Sequence, residues 1–225
     1  MIPLKDNNPT RTFPFITIAF ISLNIVFFLF ELGQGENIET FVRSFGCTPY
    51  EITTGTDKEP FIFFPVRLTI FTSMFLHGGW MHLIGNMLYL WIFGNNIEDR
   101  LGHLRFIFFY LLAGIIATFA QIIISPFSTI PQIGASGAVS GILGAYILLF
   151  PRAKVLTLIP LFYFIRIISL PAFVVLGFWI VLQIINGFTS LSLSAQGGIA
   201  FFAHIGGFLA GLLFVKPFLI GRRKL

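Results

Sequence analysis

The chain has 225 residues, of which 56% are hydrophobic, 17% aromatic and only 10% charged. A soluble domain carries about 25% charged residues, so this composition excludes an ordinary soluble protein and indicates a polytopic membrane protein. The net charge of +5 does not indicate nucleic-acid binding, because the basic residues stand in short clusters between apolar stretches. Cys47 is the only cysteine, which excludes an internal disulfide and a thiolate metal site.

Six apolar stretches are expected to cross the membrane as helices, because each approaches the length of about 20 residues that a span needs. They cover residues 13–31, 79–97, 104–125, 135–150, 168–186 and 199–219. The first stretch is expected to remain as a signal anchor, since no small-residue cleavage site follows it. The sequence therefore predicts an all-α fold, with residues 1–225 forming one six-helix membrane domain.

Two connections between these stretches are unusual. The loop 31–78 is long, and its segment 60–68 is too apolar for a solvated loop and too short to span, so we expect it in the bilayer interface or folded against the helices. The connection 151–171 contains three prolines and three basic residues. This composition predicts an interfacial segment. The alternative is that part of the segment extends the fifth helix.

The charges predict the orientation of the chain. If six helices alternate, the basic clusters all fall on one side: Lys5, Arg11, Arg100, Arg105, Arg152, Lys154, Lys216, Arg222, Arg223 and Lys224. The other side receives the loop 31–78, which holds six of the nine acidic residues. Basic residues favour the cytoplasmic side, so both termini are predicted to be cytoplasmic. Without a transit peptide, the expected location is a prokaryotic plasma (inner) membrane.

Polar side chains inside spans are costly, and they default to functional candidates. Here they are His82 and Asn86 in the second span, Ser136 and Ser140 in the fourth, and His204 in the sixth. The fourth span is short: the stretch from Ser136 to its inner end covers about 22 Å, against a bilayer core of about 30 Å. Ser136 is therefore expected below the outer surface, at the depth of His82, Asn86 and His204.

Small residues predict that the fourth and sixth spans pack closely. Gly137 and Gly141 are spaced by four, as are Gly207 and Gly211, and such pairs let helix backbones approach each other. His204 shares the face of Gly207 and Gly211. If the two spans are neighbours, Ser136 and His204 come within hydrogen-bonding reach, which is the arrangement of a nucleophile and its general base.

This pair would work without a carboxylate, because no Asp or Glu is expected at its depth. The imidazole of His204 would be oriented by Ser140, by an aromatic such as Tyr146, or by backbone. The side chains of His82 and Asn86 and the backbone N–H of Ser136, at the positive end of its helix, could donate to an oxyanion. Taken alone, however, Ser136 is more typical of a packing residue than of a nucleophile.

These residues together resemble the rhomboid intramembrane serine proteases over about residues 65–215. "GASG" at 134–137, which includes Gly134, resembles the family's nucleophile motif, and "AHIGGFLAG" at 203–211 resembles its general-base helix. The stretch 77–90, "HGGWMHLIGNMLYL", has His77, His82 and Asn86 at the spacing found in the family. The stretch 94–102, "GNNIEDRLG", resembles the family's motif at the inner end of the second helix. In this order and spacing the four motifs are highly specific.

The resemblance implies a serine endopeptidase that cleaves transmembrane segments of other proteins with a Ser136–His204 dyad. It implies lateral substrate access from the lipid near the fifth span and the loop 31–78, a site that opens to the extracytoplasmic side, and neither cofactor nor metal. His77 is expected to hold the outer loop to the second span, and Glu98 and Arg100 are expected to pair locally at the inner end of that span.

Two positions depart from the family pattern. Val66-Arg67 stands where the family has Trp-Arg, so the arginine is kept and the aromatic is lost. Ser140 stands where some members have an aromatic that stacks on the base histidine. Two other classes of protein remain open: a non-catalytic rhomboid-like factor that binds membrane proteins, and a transporter or channel, although no internal repeat of the kind typical of transporters is evident.

Overall fold

A computed structural model describes residues 1–56, 64–161, 164–192 and 199–220 of the chain. The fold is mostly helical. Its helices are α1 (Phe15–Leu32), α2 (Ile38–Phe45), α3 (Pro49–Thr54), α4 (Thr69–Thr72), α5 (Trp80–Tyr89), α6 (Asn95–Leu101), α7 (His103–Ile124), α8 (Ser136–Leu149), α9 (Ala172–Ser192) and α10 (Phe201–Leu219). Three strands complete it: β1 (Ile2–Asp6), β2 (Lys154–Leu161) and β3 (Phe164–Pro171).

Four helices in the described residues are long and apolar enough to cross a membrane: α1, α7, α9 and α10. The helix α8 is also apolar but has only 14 residues. A π-helical turn at Leu90–Gly94 connects α5 to α6, so these two segments form one continuous helical stretch. Each predicted apolar stretch thus contains helix, and the predicted shortness of the fourth is confirmed.

The core of the molecule is α8, which packs against both α7 and α10. On α10, a Cβ added at Gly207 would overlap the carbonyl oxygen of Gly137, and one added at Gly211 would overlap that of Gly141. A Cβ at Gly141 would also overlap the side chain of Ala113 on α7. Only glycine permits backbones this close, so the predicted contact between the fourth and sixth apolar stretches is confirmed.

The expectation of an all-α fold is wrong at one end of the molecule, where β1, β2 and β3 form an antiparallel sheet in that order. Within 151–171, β2 and β3 pair antiparallel with Lys154 opposite Pro171, and the fifth helix begins at Ala172 rather than at residue 168. Val155 and Thr157 are both fully buried, an alternation typical of a strand. The many β-branched residues favour strand over helix, and Pro171 ends β3.

Asp6 connects the sheet to the helices. Its carboxylate accepts hydrogen bonds from the Asn96 side chain, at 2.9 Å, and from the hydroxyl of Tyr146 on α8. Burial raises the pKa of Asp6, while the bond from Tyr146 opposes that rise. The strand β1 is therefore fixed both through backbone pairing with β2 and through a partly buried side-chain contact.

The expected local pair between Glu98 and Arg100 is wrong. The fully buried carboxylate of Glu98 accepts bonds from the backbone N–H groups of Ile16 and Thr17, at 2.9 and 2.7 Å, and lies 2.6 Å from Nδ1 of His103. Because the first N–H groups of a helix have no partner inside the helix, Glu98 satisfies the start of α1. The inner end of the α5–α6 stretch is thus fixed to α1.

Parts of two expectations lie outside the described residues. They are residues 60–63 of the apolar segment in the outer loop and the basic residues Arg222, Arg223 and Lys224. Arg67 is exposed within a short turn at Val66–Leu68.

Substituting Gly211 tests the close packing of α8 on α10. We expect Gly211→Ala to lower the free energy of unfolding by about 1–3 kcal/mol, because the new methyl group overpacks the contact with Gly141. Gly177→Ala on α9 is the matched control: its Cβ meets nothing within 4 Å, and alanine favours a helix. Equal unfolding temperatures for the two variants in detergent would contradict this packing.

Candidate active site

Ser136 is the first residue of α8, and the turn before it requires glycine. Gly134 has a φ of +121°, which side chains rarely adopt, and its N–H donates to the carbonyl of Ser73 at 2.8 Å. This turn lets the chain enter α8 with the Ser136 side chain partly exposed. The backbone N–H of Ser136 lies at the helix start, where N–H groups have no partner within the helix and carry a partial positive charge.

His204 lies in the first turn of α10, directly beside this serine. Its Nε2 is 2.9 Å from the Oγ of Ser136. Both side chains line a cavity of about 850 Å³, whose wall also includes His82 and Asn86. Ser140 lines the same cavity, so the structure brings together all five polar residues that the sequence places inside the spans.

Gln183 on α9 contacts the other nitrogen of His204. The sequence motifs did not predict this residue. Its Oε1 is 2.8 Å from Nδ1 of His204. Of the expected orienters, Ser140 and Tyr146 are engaged elsewhere: the hydroxyl of Ser140 donates to the carbonyl of Ser136 at 2.6 Å, and that of Tyr146 donates to Asp6. The aromatic beside His204 is instead Trp179 on α9, whose ring centroid lies 5.9 Å from that of the imidazole. An amide inside an otherwise apolar helix was the signal that could have identified Gln183.

His82 and Asn86 lie on α5, across the cavity from α10. Nδ1 of His82 accepts a long bond of 3.4 Å from the N–H of Gly78, which leaves Nε2 to act as a donor. That Nε2 lies beside Gly134, since a Cβ placed there would be 2.6 Å from it and 3.6 Å from the Oγ of Ser136. Asn86 is 8% exposed, and its Nδ2 is a buried donor without a partner in the described part of the chain.

His77 lies behind His82 rather than in the cavity. Its backbone N–H donates to the carboxylate of Glu31 at 3.0 Å, and its ring meets those of Phe28 and His82 edge-on. Burial, with a smaller effect of His82, lowers the pKa of His77 to about 4. His77 is therefore neutral at pH 7 and links α1 to the start of α5, as a structural residue would.

Cys47 is also buried away from the cavity. Its backbone pairs with that of Gln132 on both sides of a short bridge, at 3.0 and 2.8 Å. Burial raises the pKa of the Cys47 thiol to about 12, so it stays protonated and is not a nucleophile. Its contribution is to fasten the outer segment to the loop that precedes Ser136.

These features define a class: a multi-pass membrane protein with a serine–histidine pair beside a cavity. Comparison with known proteins identifies the family. The Rhomboid domain matches residues 66–220, and the chain therefore belongs to the rhomboid family.

Two relatives illustrate the extent of the match. The chain is 33% identical over 210 residues to Rhomboid protease GluP of Bacillus subtilis (strain 168), covering 92% of this chain and 34% of that protein. It is 30% identical over 153 residues to Rhomboid protein 1, mitochondrial, of Saccharomyces cerevisiae, covering 66% of this chain and 41% of that protein. The chain thus spans less than half the length of either relative.

Gly134 offers a test of the turn that sets His82 against Ser136. We expect Gly134→Ala to lower the free energy of unfolding by about 1–3 kcal/mol, because alanine is strained at this φ and its methyl group collides with the His82 ring. The ring resonances of His82 should shift in the same variant. Gly78→Ala is the matched control, since its nearest added contact is an ordinary 3.6 Å to Ile133. Wild-type stability in Gly134→Ala would contradict the geometry described.

Proposed function

We propose that this protein is an intramembrane serine endopeptidase in which Ser136 is the nucleophile and His204 the general base. The observation that carries the proposal is the 2.9 Å contact between Oγ of Ser136 and Nε2 of His204, made inside a cavity that also contains His82 and Asn86. The similarity to a relative named as a protease supports it over most of the chain. It requires no cofactor and no metal.

The reaction follows from the positions of the atoms. Nε2 of His204 takes the proton of Ser136 as Oγ attacks the peptide carbonyl, and the imidazolium then gives that proton to the leaving amine. The acyl-serine that remains is hydrolysed by water, with His204 again taking and returning one proton. The developing oxyanion would be held by the backbone N–H of Ser136, Nε2–H of His82 and Nδ2–H of Asn86.

The free amide of Asn86 supports this assignment of the oxyanion donors. A buried donor without a partner costs free energy, of the order of 1–3 kcal/mol, and such groups call for an explanation in a native structure. For Asn86 the explanation is that the acceptor of its Nδ2–H arrives only with the substrate. The turn at Gly134 lies beside His82, and both side chains line the same cavity as Ser136.

We further propose that all six apolar stretches cross the membrane, with both termini in the cytoplasm and the cavity open to the extracytoplasmic side. The 14 residues of α8 extend about 21 Å, which is short of a core of about 30 Å and leaves Ser136 below the outer surface. Substrates would be transmembrane segments of other proteins that enter laterally from the lipid. They would have to unwind at the cut, which favours glycine, proline or other residues that weaken a helix.

Covalent labelling of Ser136 is the experiment that tests the function. We expect a fluorophosphonate to modify Ser136 of the detergent-solubilised protein, as read by mass spectrometry, and Ser136→Ala or His204→Ala to abolish cleavage of a model transmembrane substrate. Ser140→Ala should keep the label, and Ser169→Ala on the exposed strand β3 should cleave as wild type. A folded wild-type protein that takes no label and cuts nothing would favour a non-catalytic membrane-protein-binding factor.

The oxyanion assignment makes a separate prediction about rate. We expect Asn86→Ala to lower kcat by about 10²–10³ with little change in KM, because the lost donor acts only on the charge that develops during reaction. The unfolding temperature should not fall, since the Nδ2 group has no bond to lose. A variant that keeps wild-type kcat, or whose loss of activity follows a loss of stability, would remove Asn86 from this role.

A further inference from the structure

The imidazole of His204 has a hydrogen-bonding partner at each of its nitrogens, and the two partners lie on different helices. Nε2 meets the Oγ of Ser136 on α8, and Nδ1 meets the Oε1 of Gln183 on α9. A neutral imidazole carries one N–H and one free lone pair, and its hydrogen bonds decide which nitrogen has which. The partner at Nδ1 therefore decides whether Nε2 is able to take the serine proton.

The contacts of the Gln183 amide indicate which way round it lies. Its Nε2 is 3.5 Å from the carbonyl oxygen of Trp179, one turn earlier on the same helix. An NH₂ group donates and cannot accept, so this contact leaves the carbonyl oxygen of the amide facing His204. The opposite orientation would bring two carbonyl oxygens together at Trp179, and the amide NH₂ would then donate to Nδ1 and leave the hydrogen of His204 on Nε2. Oε1 is thus an acceptor, and Nδ1 of His204 has to be the donor.

We propose that Gln183 is a positioning residue that holds His204 as the tautomer with hydrogen on Nδ1, so that Nε2 presents its lone pair to Ser136. This inference rests on the proposed function, since the tautomer matters only if His204 acts as a base. It assigns to a neutral amide the task that a carboxylate performs in a serine–histidine–aspartate triad. Gln183 acts through His204 and has no direct contact with the reacting atoms.

The helix α9 holds the imidazole at more than one point. The ring of Trp179 lies 5.9 Å from that of His204, with an angle of 37° between their planes, and Trp179 and Gln183 are four residues apart on one face of α9. Yet α9 is the least buried of the four long apolar helices, with 22% of an 18-residue stretch buried against 39% in α10. The orientation of the base thus depends on a helix at the periphery of the bundle.

The dependence on α9 is steep because hydrogen bonds are short-ranged. The contact at Nδ1 is 2.8 Å, and an N–H···O bond is lost beyond about 3.5 Å. A displacement of α9 by about one ångström away from α10 therefore releases the tautomer of His204. In this arrangement the position of α9 sets whether the serine–histidine pair is ready to react.

The test begins with substitutions that remove or keep the acceptor. Gln183→Met keeps the length of the side chain and removes the amide, and we expect kcat to fall by about 10- to 100-fold, as when a metal-bound histidine loses the partner that orients it. KM should change little, because Gln183 lies outside the lining of the cavity. Gln183→Glu keeps an acceptor at the same reach and should restore most of kcat. Leu182→Met, on the exposed side of α9, is the matched control and should behave as wild type.

Nitrogen-15 NMR of histidine-labelled protein reads the tautomer directly, whether or not the enzyme turns over. The chain contains four histidines, so the His204 signals can be assigned by their loss in His204→Ala. We expect Nδ1 to carry the proton in the wild type and in Leu182→Met, and a mixture of tautomers in Gln183→Met. A purely structural role for Gln183 would lower stability without changing this distribution.

Failure of this inference is distinct from failure of the proposed function. A wild-type protein that neither binds the fluorophosphonate nor cleaves refutes the protease function, whereas the nitrogen-15 spectrum still reports on Gln183. The inference is overturned if wild-type His204 carries its proton on Nε2, or if Gln183→Met retains the kcat of Leu182→Met. If Gln183→Met does not fold, the wild-type spectrum and the activity of Gln183→Glu still decide the matter.

Discussion

The contact between α8 and α10 is the constraint on which the rest of the molecule depends. Because Gly144, Gly207 and Gly211 have no side chains, the two backbones lie closer than any other residue would allow. In lipid, helices gain little from hydrophobic burial against each other, so packing of this kind supplies much of their attraction. The same closeness brings an imidazole on one helix to a hydroxyl on the other. Packing and chemistry are therefore not competing explanations for the small residues around Ser136.

A second property follows from the membrane setting: the candidate site is built from neutral groups. Ser136, His204, Gln183 and Asn86 supply a hydroxyl, an imidazole and two amides, and no carboxylate contacts the pair among the described residues. A charged residue at the centre of a span raises the free energy of insertion by about 2.5–3.5 kcal/mol. An amide orients a histidine without that cost. The carboxylates of Glu98 and Asp6 instead lie next to helix starts and polar donors at one end of the fold, and that of Glu31 accepts from the backbone of His77.

The sequence was sufficient for those parts of the structure that depend on local patterns. The spacing of glycines predicted the contact between α8 and α10, and the depth of four polar residues predicted their convergence. What escaped prediction involves partners far apart in the chain. Gln183 has no charge and no motif, and only the packing of α9 on α10 brings it to His204. Likewise, the partners of Glu98 come from α1, more than 80 residues away.

The sheet was not predicted for a related reason. In the sequence, β2 and β3 resemble an irregular connection between two helices, and the strand that pairs with them, β1, lies far away in the chain. That third strand has a consequence for biogenesis. β1 pairs with β2 across some 150 residues, with Ile2 opposite Leu158. During synthesis β1 is made first and has to wait, unpaired, until β2 has emerged and the intervening helices have been placed. Closing the sheet is therefore a late event, and protection of the β1 amides from hydrogen exchange would mark the moment at which the bundle is complete.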